Sequence, residues 1–97
     1  MSEIPNEKTL TKMEELLHVA SDYTRLKILY AIMDEDKSVS TIVTEVGASQ
    51  SLVSHQLKVL KKANLVSTHK EGTKVYYKLA DDHVNSLLKV VQEHAEE

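Results

Sequence analysis

The fold is decided by the stretch Ser49-Gln-Ser-Leu-Val-Ser-His-Gln-Leu-Lys58. Apolar residues return along it and just beyond it at the spacing of one helical face, at Leu52, Val53, Leu57 and Leu60. Ser49 is a residue type that caps helices, because its side-chain oxygen can accept a free backbone N–H of the first turn. The pattern therefore predicts a helix that Ser49 caps and that runs to about Ala63, with a polar outer face.

A shorter helix precedes this stretch. Ser38 or Ser40 is placed to cap it, and its apolar residues are Ile42, Val43 and Val46. Gly47 follows the last of them and can adopt the positive φ that often ends a helix. Two helices joined by a tight turn that contains glycine are typical of a helix-turn-helix, which we predict over residues 38–63.

After Asn64 the apolar period changes from 3.6 to 2. Two β-rich runs, Leu65-Val-Ser-Thr-His-Lys70 and Lys74-Val-Tyr-Tyr-Lys-Leu79, are separated by Glu71-Gly72-Thr73. Two such runs with a glycine in the connection indicate a β-hairpin, here over residues 65–79.

Helical spacing also marks both ends of the chain. One helix is predicted from Lys8 to Ala20, and a second begins at Ser21 or Asp22. A last helix begins at Asp81 or Asp82 and fills residues 81–97, whereas residues 1–7 are expected to be disordered. The prediction is a single, mainly α (α+β) domain over residues 1–97. It is a winged helix-turn-helix with an added helix at each end, in the order of four helices, two strands and one helix.

The composition and the missing motifs exclude several classes of function. The 97 residues include no cysteine, which excludes disulfides and thiolate metal sites, and the only glycines are Gly47 and Gly72. With no catalytic motif and no glycine-rich phosphate loop, we expect no enzyme and no small organic substrate. No apolar run is long enough for a membrane span and no signal peptide is visible, so we expect a cytoplasmic protein. The net charge is −3, yet residues 38–79 carry six lysines against Glu45 and Glu71, which suggests a face for a polyanion.

The chain resembles the ArsR/SmtB family of bacterial metal-responsive repressors over roughly residues 8–97. The resemblance is carried by Ser21-Asp-Tyr-Thr-Arg-Leu-Lys-Ile-Leu29, by the stretch 49–58, and by the hairpin with Gly72 and Tyr76-Tyr77. It implies a homodimer that is joined through the first and last helices and binds a palindromic double-stranded operator.

The residue types within residues 38–79 also support DNA binding, independently of the resemblance. A helix that enters the major groove needs short hydrogen-bonding side chains near its N-terminus, and Gln50 can pair bidentately with adenine. Lysines further along suit phosphates. The predicted DNA contacts are Ser49, Gln50, Ser51, Ser54, His55 and Lys58 on the helix, and His69, Lys70, Thr73 and Lys74 on the hairpin.

The last helix carries candidate metal ligands. His83 and His94 are eleven residues apart, which places them on nearly the same helical face but about 16 Å apart along the axis. One helix cannot bring both to a single ion, whereas two antiparallel copies can. Asp81 and His83 of one chain would then meet His94 and Glu97 of the other, giving two symmetric sites per dimer. This spacing is similar to the last-helix site of the family's zinc sensors, in which a second histidine usually stands where Glu97 stands here.

The donors select the metal. Two imidazoles and two carboxylates in a tetrahedral arrangement suit Zn(II), with Co(II) as a surrogate. Asp81 is preferred over Asp82 because the family pattern skips one residue before the histidine. The fourth ligand stays open among Glu97, Glu96, the terminal carboxylate and water.

The predicted function is therefore a zinc-responsive repressor. The metal-free dimer binds its operator, and zinc lowers that affinity, which releases genes for metal efflux or homeostasis. Two alternatives remain: a regulator of the same fold without a metal response, and a protein-interaction module. A zinc titration separates the first from the prediction, and a lack of DNA binding at every salt concentration would indicate the second.

Overall fold

A computed structural model describes residues 3–97. Helix α1 spans Glu7–Ala20 and helix α2 spans Tyr23–Ala31. The side chain of Asn6 caps α1 by accepting the Thr9 N–H at 2.9 Å, so this helix begins one residue before the predicted start. Asp22, one of the two predicted caps of α2, accepts the N–H of Arg25 at 3.0 Å. Of the segment 1–7 expected to be disordered, residues 1 and 2 lie outside the described part of the chain.

The predicted helix-turn-helix is present. Helix α3 spans Val39–Val46 and helix α4 spans Gln50–Lys62. Gly47 follows α3 with φ of 74°, the left-handed conformation that ends a helix without steric cost only in glycine. Ser49 then caps α4, since its Oγ accepts the N–H of Leu52 at 3.2 Å.

The C-terminus of α4 is held by a Schellman motif. Asn64 adopts φ of 62°, its N–H donates to Lys61 O, and the N–H of Leu65 donates to Leu60 O, both at 3.0 Å. Leu60 and Leu65 are both buried, which is the apolar contact that usually accompanies this motif. The backbone therefore turns sharply between the end of α4 and the start of the wing.

The wing is a three-stranded antiparallel sheet. The short strand β1 spans Lys37–Ser38, and β2 (Val66–Glu71) and β3 (Lys74–Leu79) form the predicted hairpin. Strand β3 lies in the centre, because β1 pairs with it through Ser38 and Tyr76. The turn contains Gly72 with φ of 63°, the first central position at which a two-residue type II′ turn requires glycine. Strand β1 was not apparent from the sequence, since two residues carry no readable period.

The core lies between α2, α3, α4, the base of the wing and α5, which spans Asp82–Ala95. Its fully buried large side chains are Ile28, Leu29, Ile32, Ile42, Val53, Leu57 and Leu60. The expectation that Leu52 points inward was wrong, because its side chain is 40% exposed while Val53, Leu57 and Leu60 form the inner face of α4.

Two helices leave apolar side chains uncovered. Helix α1 contributes no buried residue, and Leu10, Met13 and Leu17 along it are exposed. On α5, Val90 is 63% exposed and Val91 is also exposed, although Val84 and Leu88 are buried. No helix within residues 3–97 has both the length and the apolarity that crossing a membrane requires.

Candidate nucleic-acid interface and metal centre

The N-terminus of α4 presents polar side chains to solvent. Gln50 and Ser51 are exposed in its first turn, and Ser49 serves as the cap while its Oγ lies 3.5 Å from that of Ser51. Because the first N–H groups of a helix carry a partial positive charge, this end also attracts phosphate. Gln50 is thus the first long hydrogen-bonding side chain that a DNA groove would meet here.

The predicted contacts further along α4 share one face. His55 and Lys58 are exposed and Ser54 is half-buried, whereas Val53 and Leu57 point into the core. The burial of one face therefore fixes which side chains the other face can offer to a partner.

The tip of the wing carries the second group of predicted contacts. Lys70, Thr73 and Lys74 are exposed around Gly72, and Lys74 stands opposite Glu71 in the β2–β3 register. Two lysines at the end of a narrow hairpin suit the phosphate backbone better than base edges, because lysine binds as a flexible point charge.

His69 is held by the sheet. Its Nδ1 lies 3.5 Å from Asp36 Oδ2, its Nε2 lies 3.6 Å from Glu71 Oε1, and its ring stacks on Tyr76 with centroids 5.6 Å apart. The sequence did not indicate the contact with Asp36, because that residue is distant along the chain. The two carboxylates face different ring nitrogens, so a single ion cannot use both of them together with this histidine. A DNA contact by His69 stays a prediction.

The candidate metal ligands form two pairs at opposite ends of α5. Asp81 caps the helix, its Oδ1 accepting the N–H groups of His83 at 2.9 Å and Val84 at 3.2 Å. The same oxygen lies 3.7 Å from His83 Nδ1. At the other end, Glu97 Oε2 lies 3.4 Å from His94 Nδ1.

Each pair has the geometry of half a tetrahedral site. Two ligands of one zinc ion, at bonds of about 2.0–2.2 Å, lie about 3.3–3.6 Å apart, close to the separations in both pairs. The imidazoles of His83 and His94 are 99% and 84% exposed, so both can be reached from outside the chain. Within residues 3–97, no three or more such donors come together to hold an ion. A complete site would therefore need a second chain.

Glu96 is engaged elsewhere, which separates it from Glu97. Gln92 Nε2 donates to Glu96 Oε2 at 3.1 Å, and the single hydroxyl proton of Tyr30 is shared between Gln92 Oε1 at 2.7 Å and Leu88 O at 3.0 Å. Burial, and then the negative charge of Glu96, raise the pKa of the Tyr30 hydroxyl, which keeps it protonated as a donor. This network ties the end of α5 to α2 and leaves Glu97 as the carboxylate beside His94.

The metal pairs and the uncovered apolar side chains share one face of α5. At about 100° per residue, His83, Val90 and His94 lie within about 40° of one another around the helix. A partner helix that runs along α5 over Val90 would therefore lie on the face that carries both imidazoles.

The known proteins that are similar to this chain include bacterial transcriptional regulators. The profile of a family described as bacterial regulatory protein, arsR family, matches residues 22–68. A transcriptional repressor SmtB homolog of Synechocystis is 35% identical over 86 residues, which are 89% of this chain and 65% of that protein. The arsenical resistance operon repressor of Bacillus subtilis is 38% identical over 80 residues, which are 81% of this chain and 76% of the repressor. The chain thus spans slightly less than two thirds of the Synechocystis relative.

Solved structures share the whole fold. The homodimeric winged helix-turn-helix DNA-binding domain of Mb0332 from Mycobacterium bovis superimposes with a TM-score of 0.86 at 29% identity. The superposition covers 100% of this chain and 92% of that domain. The winged helix-turn-helix predicted from the sequence is confirmed, with β1 as an addition to the predicted hairpin.

Proposed function

Because the chain belongs to the arsR family of bacterial regulatory proteins, we propose that it is a DNA-binding transcriptional repressor that acts as a homodimer. The observation that carries the proposal is the exposed polar face of α4, with Gln50 at its start, together with the exposed lysines at the tip of the wing. Membership of a family of regulatory proteins also confirms the expectation that the chain is not an enzyme. The proposed site of action is the cytoplasm, where the operator lies.

The dimer is supported by the apolar faces of α1 and α5. Monomeric proteins rarely leave contiguous apolar surface in water, and Leu17 and Val91 line one such apolar groove between the two helices. A two-fold symmetric pair of chains would present two α4 helices to two half-sites about 34–36 Å apart, or a multiple of that distance. The two-fold symmetry of a palindromic operator matches this arrangement.

Replacing Gln50 with alanine is expected to weaken operator binding. A bidentate contact from glutamine to adenine contributes about 1–3 kcal/mol, so the affinity should fall about 5- to 150-fold for each half-site. The measurement is fluorescence anisotropy with a labelled palindromic duplex selected from random sequence. Lys89→Ala serves as the control, because it removes a charge from a different helix, α5. An unchanged affinity in Gln50→Ala would remove Gln50 from the interface.

We further propose that the dimer senses Zn(II) through Asp81, His83, His94 and Glu97. The support is the pairing of donors at both ends of α5 at distances that suit two edges of a tetrahedron, on the face that also carries Val90. Zinc bound there would tie two α5 helices together and change the relative rotation of the subunits.

Zinc is expected to lower operator affinity about 5- to 150-fold, the range of a coupling free energy of about 1–3 kcal/mol. In His94→Ala this response should be lost, whereas the operator affinity of the metal-free protein stays unchanged. The measurement is the same anisotropy titration with and without zinc, with Co(II) absorption as an independent readout of tetrahedral binding. His18→Ala is the matched control, because His18 is an exposed histidine on another helix. A full zinc response in His94→Ala would refute the ligand assignment, and unchanged operator affinity of the wild type at saturating zinc would favour a regulator without a metal response.

A further inference from the structure

A partly buried polar link joins the first helix to the predicted DNA-reading helix. The guanidinium of Arg25 donates from Nε to Val19 O at 2.6 Å and from Nη1 to Gln56 Oε1 at 2.7 Å. Val19 lies in the last turn of α1, and Gln56 lies in the middle of α4. The backbone N–H of Arg25 is itself held by Asp22, so the side chain starts from a fixed point.

The two acceptors of Arg25 are a backbone carbonyl at the end of α1 and a half-buried amide side chain on α4. The last carbonyls of a helix have no partner within the helix, and Val19 O is one of them in α1. Gln56 is half-buried and follows His55 directly, so it lies about 100° around α4 from that exposed residue. Arg25 therefore holds α4 from behind, on the side away from the predicted DNA contacts.

We propose that Arg25 is a positioning residue that fixes the rotation of α4 relative to the dimer-forming helices, and thereby the half-site spacing that the dimer accepts. The inference rests on the proposed function, since it requires a dimer on a palindromic operator. The planar guanidinium places two donors in one rigid fork, so it can bond α1 and α4 at the same time. The compact ammonium of lysine reaches only one of the two acceptors.

The test measures which spacing between the two half-sites is preferred by the dimer of the intact 97-residue chain. The selected palindromic duplex, whose half-site spacing is called native here, is compared with duplexes that have one base pair added or removed between the half-sites. Each duplex is titrated with the wild type, Arg25→Lys and Gln56→Leu. Each added base pair rotates one half-site by about 34°, so a dimer with fixed reading helices should discriminate strongly. In both variants we expect weaker binding to the native spacing and a spacing preference reduced by about 2- to 30-fold, the range of mutations that alter coupling without contacting ligand.

Three comparisons make the result decisive. The slope of log affinity against log salt should be unchanged in Arg25→Lys and Gln56→Leu, because neither removes a phosphate contact. Lys27 is on the same helix as Arg25, and its ammonium lies over the ring of Tyr23. Lys27→Ala removes this cation and should keep the wild-type spacing preference. The double variant Arg25→Lys/Gln56→Leu should be no worse than either single variant, since both break one link.

Two outcomes would overturn the positioning role. If both variants keep the wild-type spacing preference, Arg25 does not set the rotation of α4. If Arg25→Gln, which removes the charge, instead changes the salt slope by about two (one for each subunit) while Gln56→Leu is neutral, Arg25 contacts a phosphate. Should Arg25→Lys fail to fold, as judged by circular dichroism and sedimentation, Gln56→Leu still tests the same bond from the other side. A wild type that binds none of the operators would refute the proposed function rather than the role of Arg25.

Discussion

Operator affinity is expected to fall about 10²- to 10⁴-fold when Val90 is replaced by glutamate, since that is the range by which joining two binding modules raises affinity. Val90 is 63% exposed, so the substitution removes little packing within the chain. In a symmetric interface every residue occurs twice, and each subunit would bring a carboxylate into an apolar contact. The dimer should dissociate, and each monomer would then hold only one half-site.

Sedimentation velocity and anisotropy on one protein preparation measure the two consequences together. Lys89→Glu is the matched control, because it places the same side chain on α5 about 100° away from Val90. We expect this control to remain a dimer and to keep most of its affinity. Val90→Glu should also lose high-affinity zinc binding, because each proposed site takes ligands from both chains. A dimeric Val90→Glu variant with wild-type affinity would show that this face of α5 is not the interface.

Replacing Leu57 with alanine is expected to lower the free energy of unfolding by about 2–5 kcal/mol. Leu57 is 1% exposed and lies on the inner face of α4, beside Val53 and Leu60, so the truncation leaves a cavity in the core. For a domain of this size the loss corresponds to a decrease in Tm of roughly 10–30 °C. This is a large share of the about 5–15 kcal/mol that keeps a typical domain folded.

The control is Leu52→Ala on the same helix. Leu52 is 40% exposed, so its truncation removes less buried apolar area and should cost well under half as much as Leu57→Ala. Urea unfolding at one fixed protein concentration measures both variants, because the stability of a dimer depends on concentration. Equal losses in the two variants would contradict the burial that distinguishes the two leucines.

Much of the fold could be predicted because its signals are local. The turn between α3 and α4 needs a residue with positive φ followed by a cap, and Gly47 and Ser49 stand at those two positions. The change of apolar period after Asn64 places the wing in the same way. The inner face of α4 was predicted one residue too wide, since the period cannot tell that Val53 is covered and its neighbour Leu52 is not.

Candidate site residues could likewise be identified from the sequence only where they lie on one element. Asp81, His83, His94 and Glu97 were identified by spacing on one helix, and the structure brings them together only as two separate pairs. The partners of His69 and Arg25 were not identified, because Asp36 and Gln56 come from distant parts of the sequence. No spacing rule relates residues that different elements bring into contact.

The amino-acid order by itself determined the helices, the turn, the hairpin and the polar side chains that α4 turns toward solvent, since all of these depend on neighbours within a few residues. Only the tertiary structure decided which apolar residues are covered, that β1 joins the sheet, and that Arg25 connects α1 to α4. The physical reason is that burial and long-range hydrogen bonds arise from the packing of whole elements, which a local period cannot encode.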